Sequence, residues 1–153
     1  MQLNSNGKGK GLGIYFKKDI LKHKADIKEE NIQRSKFTSS DIVLLVLYRS
    51  QTGSLKLLKQ YLEKIQHGDK PTLVIGDFNS CFINESPIFL MKYFNENSFS
   101  QLVNEPTHIE GNLLDQAHMR DTKGMFKCSI ELHSKYYTDH KGVALLIKRY
   151  DDD

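Results

Sequence analysis

The stretch Leu73-Val74-Ile75-Gly76-Asp77-Phe78-Asn79 decides the fold of this chain. Its first half predicts a buried strand, and its second half brings a carboxylate and an amide two residues apart. Side chains two residues apart on an extended chain point the same way, so Asp77 and Asn79 should face one rim of a sheet. Because α/β proteins bind ligands at the carboxyl ends of strands, this rim is the candidate functional site.

The segments on either side of this stretch alternate between strand and helix patterns. Upstream, residues 42–47 form an unbroken apolar run, which predicts a strand buried on both faces. Residues 55–65 then carry apolar side chains at helical spacing, with Thr52 or Ser54 as the N-cap. Downstream, Ser86-Pro87 predicts the start of a second helix, since proline fits the first helical position. This alternation indicates a layered α/β fold.

The two ends of the chain are less regular. Residues 1–11 are polar and rich in Gly and Lys, which predicts a flexible lead-in, and residues 13–16 predict a short strand. Residues 17–36 are strongly charged without a clean apolar period, which predicts a loop with one extended or helical piece. After Asn97 the pattern predicts short strands near residues 99–103, 113–119, 129–132 and 143–147.

Composition places the chain among single-domain proteins. Its 153 residues are one domain's worth of chain and long enough to bury a core. The formal charge of +3 permits a polyanionic partner but does not argue for one. Cys81 and Cys128 lie far apart and in no metal-ligand spacing, which favours free thiols in a reducing compartment.

No part of the sequence looks like a membrane span or a secretion signal. Its apolar runs fall short of the ~20 residues that a membrane helix needs, and its polar N-terminus does not look like a signal peptide. The sequence therefore predicts an intracellular protein without a membrane partner, with nucleus and cytoplasm left open.

Polar side chains stand where several predicted strands meet loops. Tyr48 closes one apolar run, Asp115 follows a leucine pair, and Asp139-His140 precede the last apolar run. Taken singly, each is explained as an ordinary turn or strand-end residue, since loops favour Asp and Asn. Together with Asp77 and Asn79 they predict a single pocket at the rim of the sheet.

Further motifs follow one another along the chain: Gly76-Asp77-Phe78-Asn79, then Pro106-Thr107-His108-Ile109 leading to Leu114-Asp115, then Thr138-Asp139-His140. In this order they resemble the endonuclease/exonuclease/phosphatase superfamily, and in particular the endonuclease domains of mobile genetic elements. The Gly-rich residues 11–15 and the strand-ending Tyr48 are similar to the same pattern. The resemblance covers nearly the whole chain, from about residue 11 to residue 149.

The resemblance implies a fold and a class of activity. The fold is an incomplete four-layer α/β sandwich, in which two β-sheets are flanked by helices. Residues 1–150 would form a partial domain of this kind, and residues 151–153 an acidic, solvated tail. The activity is the hydrolysis of phosphodiesters or phosphomonoesters with Mg²⁺ or Mn²⁺ as the cofactor.

By the same resemblance, several residues serve the attacking water and the metal. Asp77 would orient and deprotonate the water, and Asn79 would hold either the scissile phosphate or the metal-bound water. Asp139 would bind the metal or orient its hydration shell, since Mg²⁺ prefers carboxylate oxygens and water.

Other residues would serve the phosphate. His140 would contact a non-bridging oxygen as a cation, Asp115 would orient the His140 ring and raise its pKa, and Tyr48 would donate its phenol. A histidine backed by a carboxylate is a common way to stabilise an imidazolium. His108 is expected to shape its loop rather than to bind metal, and the sequence identifies no partner for His118.

One part of the family pattern is missing from this sequence. The family supplies an Asn near the phosphate and its principal metal ligand, a Glu, from a segment before the Gly-rich stretch, but here the first acidic residue is Asp19. The resemblance therefore implies a truncated domain of marginal stability, weak binding of Mg²⁺ or Mn²⁺, and poor activity.

Alternatives to a nuclease stay open on the sequence alone. A non-catalytic remnant would bind nucleic acid or a protein through the same rim. A phosphatase of the same superfamily would act on a lipid or a nucleotide. Nucleic acid is the expected partner, while the choice between DNA and RNA and the oligomeric state are left open.

Overall fold

The computed structural model describes residues 2–4, 11–13, 22–29, 31–65, 68–81, 88–134 and 137–150. The strands in these ranges are β1 (Gln2–Asn4), β2 (Gly11–Gly13), β3 (Lys22–Glu29), β4 (Ile32–Thr38), β5 (Val43–Arg49), β6 (Thr72–Asp77), β7 (Ser100–Gln101), β8 (Asp115–Arg120), β9 (Phe126–His133) and β10 (Gly142–Arg149). The helices are α1 (Leu55–Glu63) and α2 (Ile88–Glu96). Neither of these described helices has the length and apolar character that crossing a membrane requires.

Most of the strands form two sheets. The larger sheet has the order β3-β4-β5-β6-β8-β7, in which β5 and β6 are parallel and the other neighbours antiparallel. The smaller sheet is the antiparallel pair of β9 and β10, and β1 pairs separately with β2. Because α1 links the parallel strands, β5-α1-β6 is the βαβ unit that the alternating patterns predict.

The helices cover one face of the larger sheet. Ser54 is the N-cap of α1, since its hydroxyl accepts a hydrogen bond from the Leu57 amide at 3.2 Å. The buried residues on this side form one core, which comprises Ile32, Leu45, Leu47, Leu58, Tyr61, Leu62, Ile65, Val74, Phe78, Leu90, Tyr93, Phe94 and Phe99. The Tyr93 hydroxyl donates to the Leu62 carbonyl at 2.7 Å, which ties α2 to α1.

The smaller sheet covers the opposite face. A second core lies between the two sheets and comprises Leu73, Val103, Leu113, Ala117 and Met119. The side chains of β9 and β10 that pack against it are half-buried. The layers are therefore helices, larger sheet and smaller sheet, which confirms the predicted α/β sandwich of two sheets with helices. In the described part of the chain, the helices lie on one side.

Residues 22–29 and 31–36 are the described part of the stretch that predicts a loop with one extended or helical piece, and nearly all of them are strand. These strands are β3 and β4, which form an antiparallel hairpin. Ile32 and Phe37 of β4 are buried, but so are the polar Gln33 and Ser35. Polar residues at buried positions hide the alternation of apolar and polar residues by which a strand is recognised in a sequence.

The predicted lead-in also contains regular structure. Gln2–Asn4 pairs with Gly11–Gly13, so these residues are strand and not flexible coil. Residues 14–16 of the predicted first strand lie outside the described residues, as do Ser86-Pro87 and the tail at 151–153. The later strands are found at their predicted places with somewhat different bounds.

Gly76 is needed where β6 passes β5. Its φ is 146°, and a Cβ at this position would lie 1.8 Å from the carbonyl oxygen of Leu47. Two heavy atoms cannot approach so closely, so only glycine lets the strands pair at this point. Phe78 follows with a fully buried ring that anchors the turn after β6 in the helix-side core.

The Arg49 guanidinium joins the loop after β5 to the loop after β6. The residue is only 4% exposed. Its Nε donates to the Phe78 carbonyl at 2.6 Å, and its Nη2 donates to the Asn79 carbonyl. Its Nη1 donates to the Gly53 carbonyl at 2.6 Å. In return, Asn79 Nδ2 donates to the Arg49 carbonyl at 2.7 Å. We call this set of hydrogen bonds the Arg49 clamp.

Replacing Gly76 with alanine should destabilise the fold strongly. The methyl group would collide with the Leu47 carbonyl in a backbone conformation that alanine rarely adopts, so we expect a loss of about 3 kcal/mol in unfolding free energy. Urea denaturation followed by circular dichroism measures the loss. The matched control is Gly68→Ala, because the structure describes no heavy atom within 4 Å of a Cβ there. Equal effects of the two substitutions would contradict the close approach of β5 and β6.

Replacing Arg49 with lysine should cost about 3 kcal/mol although the charge is kept. A single ammonium group cannot reach carbonyls in both loops, and buried acceptors are left unpaired. The control is Arg149→Lys, since Arg149 forms a partly exposed ion pair with Asp41 at 3.3 Å that is worth about 1 kcal/mol at most. The same denaturation experiment compares them, and wild-type stability in Arg49→Lys would show that the clamp is dispensable.

Candidate functional site

Three neighbouring strands carry polar side chains at one rim of the larger sheet. Tyr48 of β5 lies in register with Asp77 of β6, and Asp77 lies in register with Asp115 of β8. Residues in register on adjacent strands point to the same face, which here is the face toward the smaller sheet. The structure therefore brings these three side chains to one rim.

The rim opens into a pocket between the two sheets. The pocket has a volume of about 260 Å³. Its polar lining includes Asp77, Asp115 and Lys141, and its apolar lining includes Ile75 and Val143. The pocket is therefore polar at the rim, where Asp77 and Asp115 lie, and apolar between the sheets.

Asp77 and Asn79 are held together by two hydrogen bonds. The Asn79 backbone N–H donates to Asp77 Oδ1 at 2.8 Å, and Asn79 Nδ2 donates to Asp77 Oδ2 at 2.9 Å. Asn79 has a φ of 44°, in the left-handed region where Asn is better tolerated than most residues. The turn therefore fixes the direction of the Asp77 carboxylate.

Asp115 and His140 form the closest ion pair of the site. His140 Nδ1 lies 2.7 Å from Asp115 Oδ2. The backbone around Asp115 is positioned by Thr107, a fully buried residue whose hydroxyl accepts from the amides of Leu114 at 3.1 Å and Asp115 at 3.0 Å. The Lys141 amide donates to the Thr107 carbonyl at 2.7 Å, so the same residue also fixes the chain after His140.

The pKa values of the site are shifted by burial and by neighbouring charges. Burial opposes protonation of His140, but the hydrogen bond and charge of Asp115, together with the charges of Asp77 and Asp139, outweigh it and raise its pKa. Burial raises the pKa of Asp77, while its bond from the Asn79 amide opposes the shift. Burial and then the charge of Asp77 raise the pKa of Tyr48.

Asp139 lies at the outer edge of the site beside a second histidine. Its Oδ2 is 3.3 Å from His108 Nε2, and its own backbone and this imidazole lower its pKa. The His108 ring stands edge-on to the His140 ring, with centroids 5.0 Å apart. The structure therefore brings His108 into the candidate site, where the sequence predicted only a loop-shaping residue.

Several residues of this region were missed by sequence reasoning. Arg49 directly follows Tyr48, and Lys141 directly follows His140. Their position next to a predicted site residue is the sequence feature that could have indicated that they belong to the site. Thr107 belongs to the motif at residues 106–109, but the sequence does not reveal its own role. His118 also has surroundings that were not expected, since it is buried, lies 2.9 Å from Gln116 and stacks on Phe94 at 3.8 Å between ring centroids. Burial lowers the pKa of His118 to about 3, so it stays neutral.

Two groups of side chains offer possible metal ligands. Asp77, Asp115 and His140 form one group, and within it one ligand atom of each residue lies within 4.8 Å of the others. His108, Asp139 and His140 meet the same criterion. The two carboxylates of the first group are the hard donors that Mg²⁺ and Mn²⁺ favour, so that group fits such an ion. Asp139, which the resemblance assigns to the metal, lies in the second group beside two imidazoles.

No family model matches this sequence, and no curated protein matches it either. Solved structures do match the fold. The endonuclease domain of TRAS1, a telomere-specific non-LTR retrotransposon, aligns with a TM-score of 0.61 and 14% identity over 78% of this chain and 62% of that chain.

Two bacterial proteins show the same likeness. The cytolethal distending toxin from Actinobacillus actinomycetemcomitans aligns with a TM-score of 0.51 and 18% identity over 74% of this chain and 52% of that chain. An endonuclease/exonuclease/phosphatase family protein from Leptotrichia buccalis aligns with a TM-score of 0.51 and 12% identity over 76% of this chain and 53% of that chain.

The likeness covers most of this chain, while the chain spans between 52% and 62% of the length of these structures. At identities between 12% and 18% it concerns the fold alone. The chain therefore has the fold of the endonuclease/exonuclease/phosphatase proteins, as the order of its motifs predicts.

Proposed function

We propose that this chain forms a phosphodiester-hydrolysing site of the nuclease type. The observation that carries the proposal is the Asp115–His140 pair, 2.7 Å apart, which lies beside Asp77 at the rim of this fold. Such a rim combines a base for the attacking water with a cation for the phosphate. Hydrolysis of a phosphodiester requires both of these from its surroundings.

Asp77 is the residue suited to orient and deprotonate the attacking water. Burial raises its pKa, which makes its carboxylate a stronger base. Each of its oxygens accepts one hydrogen bond from Asn79 and keeps a further acceptor site for water. Because the Asn79 bonds fix the carboxylate, little entropy is lost when a water molecule is aimed at the phosphorus.

Asn79 is suited to hold the metal-bound water rather than the phosphate. Its Nδ2 donates to the Arg49 carbonyl and to the Asp77 carboxylate, so both amide hydrogens are engaged. Both partners are acceptors, so the amide cannot be turned round, and only Oδ1 is left for a ligand. A phosphate oxygen requires a donor, whereas water or a cation can use an acceptor.

His140 and Tyr48 are suited to contact the phosphate. With Nδ1 bonded to Asp115, the imidazolium keeps its Nε2–H for a non-bridging oxygen. The raised pKa of His140 favours this charged form. The raised pKa of Tyr48 keeps its phenol protonated, so that it can donate a hydrogen bond.

The carboxylates we propose as holders of Mg²⁺ or Mn²⁺ are Asp77 and Asp115, because one oxygen of each and one His140 nitrogen lie within 4.8 Å of one another. Both lie close enough to His140 to raise its pKa. Carboxylates and water are the ligands that these hard cations prefer. When bound, the ion would neutralise charge that develops on the phosphate oxygens.

Nucleic acid is the substrate we propose, and endonucleolytic cleavage the reaction. The printed description of the retrotransposon protein, an endonuclease domain, supports this choice, and the same likeness supports an origin in a mobile element. The net charge of +3 does not oppose a polyanionic substrate. A non-catalytic module that binds nucleic acid through the same rim is the alternative that the experiment must separate.

The protein should nick supercoiled plasmid DNA in the presence of Mg²⁺ and not in the presence of EDTA. His140→Gln and Asp77→Asn should each slow nicking by about 10²-fold or more, because each removes a group that acts on the phosphate or the water. Agarose gels resolve the nicked form, and a labelled RNA and p-nitrophenyl phosphate test the other substrate classes in parallel.

The matched control for this assay is His133→Gln. His133 is a half-exposed histidine of β9 that lies 3.5 Å from Glu131, outside the rim. Its replacement should leave the rate unchanged. Retention of DNA by gel shift without any nicking would favour the non-catalytic module, and a rate unaffected by His140→Gln would refute the proposed site.

Asp115→Asn should lower the pKa of His140. The substitution removes the charge that raises this pKa, while burial, which lowers it, remains. Titration of the His140 ring signal by NMR measures the change. A pKa that is equal in both proteins would mean that the pair does not form in solution.

The same pair should make stability depend on pH. A histidine whose pKa is raised in the folded state contributes stability that is fully present below its unfolded pKa of about 6.5 and is lost as pH rises through the folded value. Unfolding free energy should therefore fall more steeply above about pH 6.5 in the wild type than in Asp115→Asn. Denaturation curves at a series of pH values test this, and parallel curves would contradict it.

A further inference from the structure

We propose that His108, Asp139 and His140 form a binding site for a transition-metal ion such as Zn²⁺. The three side chains come from two loops that meet at an isolated antiparallel bridge between His108 and His140. One ligand atom of each residue lies within 4.8 Å of the others. This site is defined by its two imidazoles, and the proposal does not require the chain to be a nuclease.

The backbone holds the two loops in place on both sides of the bridge. The Ile109 amide donates to the Asp139 carbonyl at 2.9 Å, and the Lys141 amide donates to the Thr107 carbonyl at 2.7 Å. His108 and Asp139 therefore do not depend on each other's side chains to stay close. A metal ion would find its ligands already gathered, so little ordering entropy opposes binding.

The distances suit a small ion with nitrogen and oxygen ligands. His108 Nε2 lies 3.3 Å from Asp139 Oδ2. In a tetrahedral zinc site with bonds of about 2.0 Å, two ligand atoms are separated by about 3.3 Å. The imidazole planes of His108 and His140 cross at 80°, with centroids 5.0 Å apart, so the two rings do not stack and their edges can approach one ion.

A carboxylate lies on the Nδ1 side of each imidazole. Asp115 Oδ2 lies 2.7 Å from His140 Nδ1, which leaves Nε2 of that ring for a ligand. Glu110 Oε2 lies 3.8 Å from His108 Nδ1. Histidines that bind metal usually donate their other N–H to a carboxylate or carbonyl, as His140 does to Asp115, which fixes the ring and strengthens the ligand. The Glu110 carboxylate is exposed and would have to move closer to His108 to act in the same way.

Metal binding would change the tautomer of His108. In the structure the Glu110 amide donates to His108 Nδ1 at 3.2 Å, so the neutral ring carries its proton on Nε2 and donates it to Asp139. An ion at Nε2 displaces that proton to Nδ1, which breaks the hydrogen bond from the Glu110 amide. The exposed Glu110 carboxylate, 3.8 Å from Nδ1, would then move closer and accept the hydrogen bond from this N–H. The number of protons on the neutral ring is unchanged.

The donor set decides the class of ion. Two imidazoles and one carboxylate suit Zn²⁺ and its transition-metal neighbours, whereas Mg²⁺ prefers oxygen ligands alone. A three-ligand site of this kind leaves a fourth position for water or another molecule. The proposed ion is therefore of a different class from the Mg²⁺ assigned to the carboxylates.

Isothermal titration calorimetry with Zn²⁺ and ¹⁵N NMR of the histidine rings test the proposal together. We expect one Zn²⁺ per chain and ring-nitrogen shifts confined to His108 and His140, with Nε2 of both rings as the ligand. His108→Asn and Asp139→Asn should each weaken binding by about 100-fold, and Glu110→Gln, which spares all three ligands, by about 10-fold. The matched control His133→Asn should bind as the wild type does.

NMR of the histidine rings in the wild-type protein tests the site even where a variant folds poorly. Zn²⁺ bound by the thiols of Cys81 or Cys128 would leave the rings of His108 and His140 unshifted and would overturn the proposal. Equal weakening in His133→Asn would overturn it too, because binding would then depend on scattered surface histidines. Absence of binding would mean that the three side chains form a hydrogen-bonded cluster only.

One consequence rests on the proposed nuclease function. Zn²⁺ at His140 Nε2 would occupy the nitrogen that is proposed to face the phosphate, so Zn²⁺ should inhibit Mg²⁺-dependent nicking at the concentration at which it binds. Binding without inhibition would leave the metal site standing and remove His140 from the proposed reaction. The two proposals therefore fail in different measurements.

Discussion

The arrangement of the rim depends on the Arg49 clamp. The loops after β5 and β6 both expose backbone carbonyls toward the interior, and such groups are costly to bury without partners. One planar guanidinium with several fixed N–H groups satisfies the carbonyls of Gly53, Phe78 and Asn79 together. The clamp is also coupled to the candidate site, since the negative charge of Asp77 favours the charged form of Arg49 against the effect of burial.

The tetrapeptide after β6 works because each of its residues meets a different physical demand. Gly76 allows β6 to pass the Leu47 carbonyl, and Phe78 fills the helix-side core. Asp77 and Asn79 do not belong to that core. Asp77 faces the pocket, and Asn79 turns the chain and donates hydrogen bonds to Asp77 and to the Arg49 carbonyl. A short sequence can thus position a carboxylate rigidly, because its neighbours anchor the backbone on the other side of the sheet.

The sequence predicted the parts of this structure that follow from local pattern. Strand ends next to polar residues marked the rim, and Ser54 was one of two predicted caps of α1. Prediction failed where tertiary context decides. Residues 32–38 form a strand although buried Gln33 and Ser35 break its apolar period. Arg49 looks like a surface residue in sequence, and only the convergence of two loops, distant in sequence, makes it a buried partner of carbonyls.

The charges at the rim favour the protonation state that hydrolysis would need. Burial alone would drive both Asp77 and His140 toward their neutral forms. The positive charge of His140 lowers the pKa of Asp77, and the negative charge of Asp77 raises that of His140, so each ionised group favours ionisation of the other. Asp115 adds to the effect on His140 through its hydrogen bond but raises the pKa of Asp77 through its charge. The pairing of Asp115 with His140 at 2.7 Å therefore has two effects. It favours the charged form of His140, and it holds this imidazolium where its charge offsets the repulsion between Asp77 and Asp115.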